Sequence, residues 1–355
     1  MSNHLHVANA FFEWELDTQN EGELSQALHV HRIYQQLQFL PVLYASKHDR
    51  FLVTALPPAS YWEGVRQLGI DPPIPVVVSD RSIQCDRIES WGYSRIIAHW
   101  AAKRNLHYPM PDWETVRHAN SKAFSFESSP KLPSAMLLSD ESEVRRWLRS
   151  FPGKKVLKTI FGLSGRGHFI VDDTAREDQL SLFLRKELER GRPLLCEPWV
   201  DRVLDFSTQW MIDAEGAILY VGSTLCENDG RGQYQANRVG DEKALFGSSL
   251  CFLHVHKTAV LPLLQKIAAL GYFGNVGIDA MLYKENQSST PILHPVVEIN
   301  ARKTMGWAAL AFQRRYYPHH IVTFRFGSAA EGLLPSHTFK RNISIEAIAI
   351  NPKSR

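Results

Sequence analysis

The chain is short of several things, and each shortage removes a class of protein. Its 355 residues hold only four cysteines, Cys85, Cys196, Cys226 and Cys251, scattered without a Cys-x-x-Cys pair. That argues against a disulfide framework or a thiolate metal cluster and reads as reduced thiols of a cytoplasmic protein. Lysine and arginine form no run, and 40 basic against 37 acidic residues leave a net charge of +3. Nucleic acid is therefore not indicated as the main partner. No apolar run approaches a membrane span, so no membrane partner is expected. The opening MSNHLHVANAFFEWEL lacks the basic-then-apolar order of a secretion signal. No Ser-His-Asp or Cys-His arrangement of a nucleophilic enzyme is recognisable. The histidines are dispersed. His254-Val255-His256 would offer two ligands on one face of a strand, and a solvated strand edge is the plainer reading. A chain of this length, 44% hydrophobic and 22% charged, is an ordinary soluble globular protein of two or three subdomains.

Two apolar runs carry the chemistry that is present. Asn275 to Tyr283 (NVGIDAMLY) and Pro295 to Arg302 (PVVEINAR) read as short strands. Side chains at i and i+2 share a face, so Glu298 and Asn300 point one way and Val297 and Ile299 the other. If the runs pair, Asp279 joins that face. Two carboxylates and an amide oxygen are hard ligands that suit magnesium, with water and phosphate completing the shell. Polar ends of two edge strands are the alternative.

Elsewhere an α/β pattern runs through the first third. Gly22 to Leu40 has helical periodicity, Leu40 to Tyr44, Phe51 to Ala55 and Pro75 to Val78 are strand candidates, and Ser60 to Leu68 and Ser94 to Lys103 are helices. Glu13, Glu15 and Asp17 would share a face if extended, where they could meet a substrate amine; a solvated face is the plainer reading. After the Pro109-Met110-Pro111 break, Ser139-Asp140 caps a helix over 141 to 150 that is acidic early and basic late. Lys154 to Ile160 is a strand, Phe161 to His168 (FGLSGRGH) a glycine-rich turn, and Phe169 to Val171 the return strand. Glycines between two strands argue against a Walker loop or a dinucleotide fold, whose glycines lead into a helix. Gly162, Gly165 and Gly167 could cover a triphosphate with backbone N–H groups, aided by Ser164 and Arg166. A plain hairpin, needing glycine only for positive φ, stands beside that reading. Thr174 to Arg190 is an amphipathic helix and Pro193 to Val200 a strand. Leu204 to Ile212 and Ala217 to Gly222 form a hairpin, Thr224 to Gly240 a long polar loop, Lys257 to Leu270 and Thr304 to Gln313 helices, and the remainder a mixed tail.

The order of these parts is similar to that of the ATP-grasp superfamily over about residues 115 to 315. The resemblance rests on a lysine-bearing strand, a glycine-rich hairpin, a helix, a Glu-containing turn, a strand with Asp, then Gly277-Ile-Asp279 and Glu298-Ile-Asn300-Ala-Arg302. It implies an α/β (α+β) fold: a pre-ATP-grasp domain over 1–112, a small lobe over 113–200, a large lobe with the metal site over 201–335, and a tail over 336–355. It implies phosphate contacts for Lys122 and Lys158, and a phosphate-covering loop at 162 to 168. Glu197, Pro198, Trp199 and Val200 would form the adenine hinge. Asp205 would be the ribose acid, although Asp stands where Glu is usual and one extra residue separates it from the hinge. Asp279, Glu298 and Asn300 would hold magnesium (or manganese), and Arg302 would lie at the transferring phosphoryl group. In the polar loop, Arg231 and Arg238 could hold a substrate carboxylate, and Asn237 could support the metal shell.

The implied activity is ATP-dependent activation of a carboxylate as an acyl phosphate, then coupling to an amine of amino-acid or peptide-like character. A small-molecule kinase and a non-catalytic ATP-binding module remain the alternatives. The acid, the amine and the oligomeric state, a homodimer included, are open.

Overall fold

The computed structural model describes residues 3–162, 167–285, 290–328, 332–335 and 341–349. Three sheets organise them. The first holds β1 (His4–Val7), β2 (Arg50–Val53), β3 (Ile74–Val77) and β4 (Arg87–Ser90), all parallel, in the order β3-β2-β1-β4. Both faces are covered, as parallel sheets require. Leu5, Leu52 and Ile88 enter a core with Ile97 and Trp100. Phe51 and Val53 enter another that also takes in Ala308, Phe312 and Phe324. The second core fastens this sheet to the rest of the molecule.

The second sheet is antiparallel: β5 (Met136–Leu138), β6 (Lys155–Thr159), β7 (His168–Val171) and β8 (Leu194–Pro198), in the order β5-β8-β6-β7. Helices Glu141–Arg149 and Glu177–Leu188 cover it through Val144, Trp147, Leu180 and Leu184. Asp140 caps the first of these, its Oδ1 accepting from the Glu143 N–H at 3.0 Å, as the sequence indicates.

The third sheet has seven strands in the order β13-β12-β9-β10-β11-β14-β15. They are β9 (Asp201–Ile212), β10 (Ile218–Asn228), β11 (Tyr234–Val239), β12 (Gly274–Lys284), β13 (Ile292–Asn300), β14 (His320–Ser328) and β15 (Arg341–Ala349). Every neighbouring pair is antiparallel. Trp210, Val276, Ile278 and Ile299 bury one face against the long helix Leu250–Ala269.

Several expectations are corrected. Residues 40 to 44 are not a strand: Leu40–Leu43 is a 3₁₀ turn, with Pro41 unable to donate to a ladder. The expected helix over 22 to 40 is two short ones, Leu24–Ala27 and Arg32–Leu37, separated by extended backbone at His31. The polar stretch 224 to 240 is mostly β10 and β11, paired Leu225 to Arg238 and Cys226 to Asn237. Its polarity reflects a strand face that borders a cleft. Residues 341–349, expected in the tail 336–355, form the edge strand β15. His254 and His256 lie in a helix, where i and i+2 diverge; His256 is buried and its Nε2 sits 2.8 Å from Thr208 Oγ1. Glu242–Ala269, 28 residues with an 18-residue stretch of mean hydropathy 1.2, is long and apolar enough by length and composition to cross a membrane, contrary to expectation. Gly247 interrupts that segment, and Leu253, Val260, Leu264 and Ile267 are fully buried.

Candidate active site

The pairing of β12 with β13 sets Asp279 directly opposite Glu298 and Gly277 opposite Asn300. All three polar side chains line one open cleft of about 1040 Å³ between the second and third sheets. Gly277 has to be glycine: a Cβ there would meet Thr304 Cγ2 at 2.7 Å. Ile299 faces the core as expected, but Val297 lines the cleft, next to a register irregularity between Asp279 and Met281.

The polar groups form a chain. Asn300 Nδ2 donates to Asp279 Oδ2 at 3.0 Å, and Arg302 donates to Asn300 Oδ1 at 3.0 Å. The Lys122 ammonium, from helix Lys122–Ser128, donates to Glu298 Oε1 at 2.7 Å and to the Gly162 carbonyl at 3.4 Å. On the opposite wall Lys158 of β6 pairs with Glu197 of β8 at 2.5 Å, both largely buried. Asp205 on β9 accepts from Arg202 and from Asn228 Nδ2, each at 3.1 Å.

The electrostatics follow from this crowding. Burial, with the Glu298 charge second, lifts the Asp279 carboxyl to about 6. Burial, then the cations Lys158, Lys122 and Arg202, drives His168 down to about 2, so its ring is neutral in a positive field. Burial pushes the Cys226 thiol up, and Asp279 adds to it. Cys226 is a cleft wall and not a ready nucleophile.

The structure therefore brings together Lys122, Lys158, Glu197, Asp205, Asp279, Glu298, Asn300 and Arg302. Pro198 ends β8, and Trp199 and Val200 border a side opening beside Asp205, the Trp199 N–H held by the Lys154 carbonyl at 2.9 Å. Gly167 has φ +83° and a Cβ there would meet Thr159 Oγ1 at 2.5 Å, so the turn itself demands this glycine. Ser164, Gly165 and Arg166 lie outside the described residues.

Arg231 is not brought in. It is exposed in the turn between β10 and β11, which folds on Asp229 and carries its side chain outward. Arg238 follows Asn237 on β11 and so faces away from it. Asn237 does reach the cleft: its Nδ2 donates to Thr224 Oγ1 at 3.0 Å, while its buried Oδ1 has no partner among the described residues. The acidic trio of the N-terminal segment also separates, because Phe12–Thr18 is a helix. Glu15 is buried and accepts from Ser94 Oγ at 2.6 Å and from the Ile96 N–H at 3.1 Å. Asp17 pairs with Arg190 at 3.3 Å. Glu13 alone reaches the site, holding Arg302 at 2.6 Å. Arg202 carries no local motif that marks it as a site residue; only packing brings it in, whereas His168 closes the glycine-rich turn and Glu13 meets Arg302 and not an amine.

The donor set admits a divalent cation. Among the described residues no three His, Cys, Asp or Glu side chains cluster as a metal site. Two carboxylates and one amide are what remains, which matches a magnesium that takes its other ligands from water and phosphates.

No protein-family model and no curated protein sequence matches the chain. Solved structures do. A biotin carboxylase from Campylobacter jejuni in a β,γ-ATP complex superposes with TM-score 0.54 at 14% identity, over 93% of this chain and 77% of that one. N5-carboxyaminoimidazole synthetase from Staphylococcus aureus gives 0.52 at 9%, over 99% and 95%. The biotin carboxylase domain dimer of the 2-oxoglutarate carboxylase from Hydrogenobacter thermophilus, with MgADP, ADP and bicarbonate, gives 0.52 at 13%, over 92% and 75%. At these identities the likeness establishes architecture, and by its three sheets, their order and these neighbours the chain has the ATP-grasp fold.

Proposed function

We propose that this protein is an ADP-forming ligase that uses ATP and magnesium to join a carboxylate to an amine. One observation carries the reading: Lys122, Lys158, Asp279, Glu298, Asn300 and Arg302 converge on a single cleft although they come from separate elements of the chain. Retention of a cationic wall, an acidic wall and an arginine between them is what phosphoryl transfer needs. The solved structures of this fold that hold adenine nucleotides support it.

In this reading the hinge at Glu197 to Val200 takes the adenine edge, Asp205 the ribose, and Lys158 and Lys122 the phosphates. Asp279, Glu298 and Asn300 would hold magnesium or manganese, which neutralises phosphate charge. Arg302 faces the transferring group. A substrate carboxylate oxygen attacks the γ-phosphorus and the bond to ADP breaks, giving an acyl phosphate. An amine nitrogen then attacks the acyl carbon, phosphate leaves, and the nitrogen loses a proton. No protein nucleophile is required. The four free thiols fit a cytoplasmic setting.

The test is magnesium-dependent ADP release across a panel of acids and amines, read with mass spectrometry for a product lighter by water than its summed substrates. A stable phosphate ester formed without an amine would replace the ligase reading with a kinase. Nucleotide binding without turnover on any pair would leave a binding module.

A further inference from the structure

A second cavity is not used by this chemistry. It is open to solvent, spans about 460 Å³ and lies between β4 with its continuation Trp91-Gly92-Tyr93 and the start of β12. Arg302 lines both this cavity and the nucleotide cleft, so the two meet at the residue assigned to the chemical step.

Its position follows from the topology of the first sheet. From β1 the chain steps outward through β2 to β3 and then returns to the other side of β1 at β4. In open parallel sheets the strand next to such a reversal of order borders the ligand crevice, and here the cavity runs along β4 from Arg87 and past its carboxyl end to Tyr93. Alternation along β4 sends Ile88 into the core and turns Arg87 and Glu89 to the cavity.

The lining is charged in an uneven way. Lys303 is almost fully buried. Its ammonium lies 3.3 Å from Glu89 Oε2 and 5.5 and 5.3 Å from the Tyr44 and Trp307 ring centres. Arg302 is held by Glu13. Arg87 is exposed, and its guanidinium makes no hydrogen bond or ion pair among the described residues. The wall also holds Trp91, Tyr93, Tyr272 and Met211, with Asn275 among them. On the same measure it has less than half the volume of the nucleotide cleft, which suits a molecule of a few carbons and not a nucleotide.

We propose that this cavity holds the acid substrate, and that the acid is small and anionic at both ends. One carboxylate is presented to Arg302 for activation. A second anionic group, carboxylate or phosphate-like, binds the free guanidinium of Arg87. The inference rests on the ligase reading for the role of Arg302.

The experiment uses the full chain, saturated with magnesium and a non-hydrolysable ATP analogue, titrated by calorimetry with succinate, 3-phosphonopropionate and butyrate. The expected result is that at least one doubly anionic acid binds about tenfold or more tighter than butyrate, since a charge-assisted contact is worth at least that. Arg87→Ala should erase the preference and Arg87→Lys should retain part of it; Arg87 is exposed, and a thermal melt confirms that both variants fold. The better of the two doubly charged acids identifies the second group. Equal binding of butyrate, an unchanged preference in Arg87→Ala, or nucleotide binding with no acid binding would each overturn this inference alone. Failure of the wild type to bind nucleotide would overturn the ligase reading, and this one with it.

Discussion

The two walls of the nucleotide cleft solve the same problem, how to keep charge inside a fold, in opposite ways. On the small-sheet wall, Lys158 and Glu197 sit on adjacent strands and close on each other at 2.5 Å. That pair is complete within one sheet. On the large-sheet wall, two acids face each other across paired strands, and Asp279 is lifted to about 6 by burial and by its neighbour. The positive charge there comes from outside the sheet, from Lys122 on a distant helix and from Arg302, which acts through the Asn300 amide at the end of β13. The first arrangement holds a lysine in place; the second stores a demand for positive charge. A cleft with one wall of each kind can take a polyanion and a divalent cation together.

The largest effect expected is on the self-contained wall. Lys158→Met should strand a buried carboxylate and cost about 3–5 kcal/mol in denaturant unfolding. The double variant Lys158→Met with Glu197→Gln should recover much of it; no recovery would mean that the pair is not the unit it looks to be. On the other wall Glu298→Gln should fold normally and lose about 100-fold or more of magnesium-dependent ADP release. Full activity in that variant would remove the metal assignment.

The N-terminal region offers a third kind of buried acid, satisfied by one hydroxyl and one backbone N–H. Glu15 is lifted by burial from 4.5 to about 7. Between those values the unfolded chain binds fewer protons than the folded one, so stability should fall as pH rises from about 4.5 to about 7. The full span is worth about 3 kcal/mol. Glu15→Gln should flatten that part of the stability–pH curve, and an unchanged slope would assign it elsewhere. The smallest effect is expected for Glu13→Gln, which loosens Arg302 without removing it. A drop of about tenfold in kcat with little change in the KM for ATP would mark positioning.

Legibility in the sequence tracked how local the cause was. The Asp279, Glu298 and Asn300 face was readable because strand periodicity and one pairing suffice to place it. The Lys158 strand and the hairpin after it were readable for the same reason. Residues 224 to 240 were misread because a strand face turned to a cleft is polar, and polarity in sequence resembles a loop. Arg231 is expected at the phosphates only if residues 224 to 240 form a loop over them; in the turn between two strands it is exposed. Glu13 was noticed in an extended trio and belongs to a helix, whose 100° step leaves only Glu13 on the site side.

The sequence alone determined the strands that carry Lys158, Asp279 and Glu298 and the residue types that suit phosphate and a hard cation, because each depends on contacts within a few residues. Which carboxylate meets Lys122, which acid holds Arg302, and whether Arg87 stands free were decided only in three dimensions. Those pairings join parts of the chain far apart in sequence, and their geometry is set by core packing between sheets, which local patterning does not encode.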